Sequence, residues 1–149
     1  MRQVRIVLIF IFSGLFVTTF AQTDSIKCNI NKIKNVSDNF DRLTFTIVKD
    51  FLFTFDSTCN INVEYSEWSN EMLYKLIEKN PNLFFEVLTK EKKVNNKILL
   101  KKIESPIHDF DYQKIYNQVK GVKTSKELKE QYLRALETVA NEEGVKLQK

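Results

Sequence analysis

Apolar residues in this chain recur mostly three and four positions apart, the spacing of helices that bury one face. Trp68, Met72, Leu73, Leu76 and Ile77 form one such stripe, with Ser66 or Ser69 placed to start the helix. Asn80-Pro81 ends it and opens another, because proline cannot continue a helix yet suits a first turn. The next stripe holds Leu83, Phe84, Val87 and Leu88 and stops in the polar run 90–93. Together they predict a helical hairpin.

The same grammar returns downstream. Residues 94–103 predict a short helix with Val94, Ile98 and Leu99 or Ile103 inward, followed by Ser105-Pro106. Tyr112, Ile115, Tyr116 and Val119 mark a further helix ended by Gly121. Lys75-Leu76-Ile77-Glu78 aligns with Lys101-Lys102-Ile103-Glu104, and proline follows each closely, as a duplicated hairpin would leave it. The last helix carries Leu128, Tyr132, Leu136, Val139 and Ala140. Thr124 with Glu127 reads as its capping box and Gly144 as its end, leaving residues 145–149 to fray.

Residues 37–55 read in two ways. Phe40, Leu43, Ile47, Val48, Phe51, Leu52 and Phe55 keep helical spacing, while the Thr-Phe-Thr and Phe-Leu-Phe runs have strand composition. A stretch this long without a turn signal favours one helix started by Ser37 or Asp38, with a strand as the alternative.

The N-terminus has a different pattern. Arg2 and Arg5 precede an uncharged apolar run from Ile6 to Phe20, and Thr19 and Ala21 occupy the small-residue positions of a cleavage site. This is the layout of a secretory signal peptide at 1–21, cut before Gln22; an uncleaved anchor is the alternative. Without it, the net charge of +4 drops by the two arginines to +2, so overall basicity does not point to a strongly cationic protein. The heavy use of Lys, Asn and Ile suggests an AT-rich genome, and with the leader predicts a bacterial periplasmic or secreted protein without stable membrane insertion after cleavage.

Export makes the two cysteines legible. Cys28 and Cys59 are the only pair in the chain, and an oxidising compartment favours a disulfide that tethers the 22–36 segment. With 43% hydrophobic and 28% charged residues the chain is not disordered, and 3 glycines disfavour β-sandwiches and phosphate-cradling loops. The expectation is an all-α protein after the signal peptide, a small bundle or a short stack of hairpins of about five to six helices within residues 37–144.

Candidate chemistry is sparse. His108 is the only histidine, and Asp109 and Asp111 beside it suggest acid/base or ligand chemistry, although both acids also suit a helix start. Glu64 and Glu67, with Glu71 and Asp56, are candidates for a paired-carboxylate hydrolase site near Tyr65 and Trp68. No nucleophile elbow, zinc-hydrolase run or cofactor-binding pattern is present, and no metal site is expected. Charge layout is the stronger feature. Residues 38–78 carry eight acids against Arg42, Lys49 and Lys75, whereas residues 90–134 carry twelve bases against six acids. Lys93, Lys97 and Lys101 stand four apart and would form a ridge on a helix that starts early enough. The ridge suits a protein or an anionic envelope component, unless the two halves merely neutralise each other. Nucleic acid is disfavoured, since arginine is nearly absent from the basic half. The sequence thus predicts a non-catalytic binding module, with a small carboxylate hydrolase or an inhibitor-type protein as alternatives.

Overall fold

Short polar side chains set where the helices begin. Asn29, Thr44, Asn62, Asn95, Asp111 and Ser125 each turn a side-chain oxygen toward an N–H of the following first turn. Each such cap is worth about 1 kcal/mol. The computed structural model describes residues 26–148. Among the described residues the elements are α1 (Ile30–Asp38), α2 (Phe45–Leu52), α3 (Val63–Lys79), α4 (Pro81–Lys90), α5 (Asn96–Ile103), α6 (Tyr112–Gly121) and α7 (Lys126–Glu142). Two 3-10 turns, Phe40–Arg42 and Ser57–Ile61, join them, and there is no strand among these residues. The expected signal peptide lies outside the described residues.

The protein is an all-α bundle with α3 at its centre, packed on α1, α4, α5 and α6. Around it α2 lies against α1 and α4, and α7 against α5 and α6. Aromatic side chains fill much of the core. Phe84, Phe85 and Tyr132 meet edge to face with ring centroids 5.1–5.3 Å apart, which joins α4 to α7. The buried Tyr132 hydroxyl donates to Asn96 Oδ1 at 2.6 Å, and Asn96 in turn donates to Gln131, fixing the start of α5 on α7. No helix among the described residues is long and apolar enough to cross a membrane.

Four expectations change. The single helix over 37–55 is two helices, since Ser37 and Asp38 close α1 instead of opening a new one. Asn39 bonds back to the Asn35 carbonyl at 2.9 Å, and the extended Thr44 caps Ile47, so the chain reverses between them. This lets Ile33 and Val36 of α1 bury beside Val48, Phe51 and Leu52 of α2, and helix formation begins within the segment read as a tether. Helix α3 starts at Asn62, ahead of Ser66 and Ser69, because Asn62 Oδ1 takes the Tyr65 N–H at 3.0 Å. At α7 the cap is Ser125, bonded to Leu128 N, and the buried Thr124 hydroxyl has no hydrogen-bond partner among the described residues. The tail left to fray is held at both ends: Val145 N donates to Ala140 O of α7 at 2.7 Å, and Gln148 exchanges two hydrogen bonds with Gln113 of α6.

Candidate functional site

The site begins with a disulfide. Cys28 and Cys59 are joined, and Cys28, in the left-handed region at φ 55, donates its N–H to Thr54 O at 2.9 Å. The Ser57–Ile61 turn is thereby pinned to the end of α2. Inside it, Ser66 Oγ donates to Cys59 O at 3.2 Å and Tyr65 shares a hydrogen bond with the buried Thr54 hydroxyl. Burial pushes the Tyr65 phenol up to about 12, the hydrogen bond shared with Thr54 offsetting part of that shift. At the mouth of the turn Asp56 accepts from the Thr58 N–H and hydroxyl at 3.1 and 3.0 Å, which hold its carboxyl below the ordinary range.

A second wall faces this turn. The carbonyls at the end of α5 have no partners within the helix, and side chains of α3 supply them. Asn70, fully buried, donates to Lys102 O at 2.8 Å and Ser105 O at 3.4 Å, while its own oxygen takes the Ile107 N–H at 3.1 Å. Tyr74 donates to Ile103 O and stacks on Phe110 with centroids 4.0 Å apart. Burial raises the Tyr74 phenol far above its ordinary value, so it is present as the neutral donor. The crossing from α5 to α6 is therefore held in an open, irregular path.

Between the two walls lies a groove of about 560 Å³, lined by Asp56, Ser57, Ser66, Ile98, Lys101, Lys102, Ser105, Pro106 and Ile107. Its volume is in the range of ligand clefts. Lys101 is exposed and Lys102 half-buried, and burial lowers the Lys102 pKa by disfavouring its charged form. Ile107 stays 45% exposed at the rim. The other end of the disulfide-braced turn also presents apolar side chains to solvent, with Ile61 92% and Val63 66% exposed.

Of the lysine ridge, Lys97 and Lys101 share a face of α5, but Lys93 lies in the turn before Asn95 caps that helix. None of the three has an ion-pair partner among the described residues. Lys114 does reach across to Glu78 at 2.5 Å, so the acidic and basic stretches meet at that point while Lys97 and Lys101 stay unneutralised.

The residues considered for acid/base chemistry take other positions. Asp111 caps α6 through Lys114 N at 2.9 Å, and His108 is exposed with its ring edge-on to Phe110. Asp109, Glu64 and Glu67 are exposed, and none of these five residues lines the groove. No group of three or more His, Cys, Asp or Glu side chains gathers closely enough to hold a metal ion among the described residues. Of the aromatic residues expected beside such a site, Tyr65 is buried and Trp68 half-buried.

The sequence reading missed Asn70. The signal was present, since Asn70 stands three residues before Leu73 and seven before Ile77, on the buried stripe of α3. A polar residue on such a stripe requires partners. Comparison with protein-family models, curated proteins and solved structures finds no match for this chain.

Proposed function

We propose that this is an exported, non-catalytic binding module that grips a protein partner in the groove between the Ser57–Ile61 turn and α5. The observation that carries the reading is the lining: two adjacent lysines, three serines and the apolar Ile98, Pro106 and Ile107 in one cleft, with one carboxylate already committed to Thr58. Such a mixture serves recognition, with apolar area for affinity and a few polar groups for orientation. Both walls are held before any partner arrives, one by the disulfide and the other by Asn70, which lowers the ordering cost of association. The carboxylate hydrolase has no comparable support, because its candidate residues are spread over exposed positions and a helix cap.

The test is position-dependent crosslinking. A photoreactive residue replacing Ile107, in the exported protein in its own cell envelope, is expected to trap a protein adduct whose yield falls when irradiation is carried out at high salt. The same residue replacing the exposed Gln118 on α6 should not trap it. Equal trapping at both positions, or at neither, would overturn the assignment of the groove.

A further inference from the structure

The groove also carries information about the chemistry of its partner, and this inference rests on the binding-module reading above. We propose that the occupant is an extended acidic segment of a protein, with a carboxylate set against Lys101 and an aliphatic side chain against Ile98, Pro106 and Ile107.

Charge is the first argument. Lys97 and Lys101 project from one face of α5 and have no acidic partner among the described residues. The groove's own carboxylate, Asp56, is occupied by two hydrogen bonds from Thr58. Asp56 keeps its negative charge, so an occupant's carboxylate is placed toward Lys101 on the other wall, which has no ion-pair partner among the described residues. Lys102 lies deeper, and an anion in the groove would favour the charged form that burial disfavours.

Shape is the second. A cleft of about 560 Å³ holds a few residues of extended chain, not a folded surface. Extended backbone keeps its N–H and C=O groups unpaired, and the hydroxyls of Ser57 and Ser105 line the cleft where they can meet them. The same concavity argues against a lipid surface, which would engage a flat or convex cationic face and leave Ile98 and Pro106 unused. A purely acidic polymer would likewise leave the apolar lining without a partner.

The experiment uses fluorescence polarisation of the Gln22 to Lys149 protein, disulfide intact, with a short fluorescein-labelled peptide alternating leucine and glutamate. Controls are the same peptide with lysine for glutamate, and vesicles of mixed phosphatidylglycerol and phosphatidylcholine. The glutamate peptide is expected to bind at low salt, and the lysine peptide is not. Lys101→Glu should weaken binding about tenfold and Ile107→Ser about fivefold, with melting temperature essentially unchanged because both side chains face solvent. Absence of peptide binding, binding indifferent to both substitutions, or vesicle binding without peptide binding would each overturn the proposal. If the Ile107 crosslink persists in Lys101→Glu while the peptide fails, the acidic-segment assignment falls and the binding-module reading stands. Failure of both crosslink and peptide in the unaltered protein brings down both.

Discussion

The chain twice places a polar residue before a proline at the end of a helix, at Asn80-Pro81 and at Ser105-Pro106, and the two junctions fold differently. At the first, Asn80 closes α3 with its N–H on Leu76 O at 2.9 Å and opens α4 with its carbonyl on Phe84 N at 3.1 Å. Backbone alone completes the turn, and Pro81 is buried as the first residue of α4. At the second, the backbone closes α5 only as far as Glu104, and no helix begins at Pro106. The carbonyls of Lys102, Ile103 and Ser105 turn inward to Asn70 and Tyr74, and the chain crosses to Tyr112 before it becomes helical again. One local signal therefore yields a closed hairpin in one place and a groove wall in the other. The difference lies in what the neighbouring helix offers. Where α3 presents hydrogen-bonding side chains, the carbonyls have partners that do not require a new helix to start at once.

The largest expected effect concerns the wall opposite the second junction. Replacing both Cys28 and Cys59 by Ser removes a crosslink spanning 31 residues. Unfolding free energy should fall by about 3–4 kcal/mol and the melting temperature by about 10 °C in calorimetry. A loss too small to measure would show that the braced end is held by its packing instead.

The most discriminating pair compares the two asparagines. Asn70→Ala leaves two carbonyls and the Ile107 N–H without partners, and should cost about 2–3 kcal/mol in urea unfolding. Asn80→Ala should change stability by no more than about 0.5 kcal/mol, because the Asn80 side chain makes no capping bond. Equal costs would erase the distinction between the junctions.

Tyr74→Phe keeps the stack on Phe110 and removes only the hydroxyl's bond to Ile103, so about 1 kcal/mol is expected. Its pH dependence gives a sharper reading. Burial raises the folded-state pKa of Tyr74, so the folded protein retains the phenol proton longer than the unfolded chain does. The stability tied to that proton is fully present below the unfolded value of about 10 and is lost as pH rises beyond it toward the folded value. Denaturant titrations between about pH 9 and pH 11 should show a shallower alkaline loss in Tyr74→Phe than in the unaltered protein. Parallel curves would mean that Tyr74 contributes nothing to the alkaline limb.

The smallest effect is on stability at Lys101. Lys101→Glu should leave unfolding free energy within about 0.5 kcal/mol, since the side chain is exposed and has no ion-pair partner among the described residues. A larger loss would give this lysine a structural role.

What was legible in the sequence follows from what each feature depends on. The stripes of α3, α4, α6 and α7 were readable because burial of one helical face imposes a period on the chain itself. The Cys28–Cys59 bridge was readable because only two cysteines were available. The break between α1 and α2 was obscured, because Phe40 and Leu43 continue the apolar spacing across Asn39 and Thr44, whose capping bonds end one helix and start the next. The groove was only half visible. Lys97 and Lys101 could be placed on one face, but Lys93 was separated from them by the Asn95 cap. The irregular end of that same wall depends on Asn70 reaching residues more than thirty positions away, and local periodicity has no term for such a contact.

The central claim is that the second junction, and not the first, is the binding end of the molecule. Hydrogen exchange with and without the leucine–glutamate peptide tests it directly, because amides covered by the ligand or stiffened around it exchange more slowly. The account predicts slowed exchange in residues 57–61 and 98–107, with residues 79–91 unaffected. Slowed exchange centred on Asn80-Pro81, or no change anywhere at saturating peptide, would contradict it.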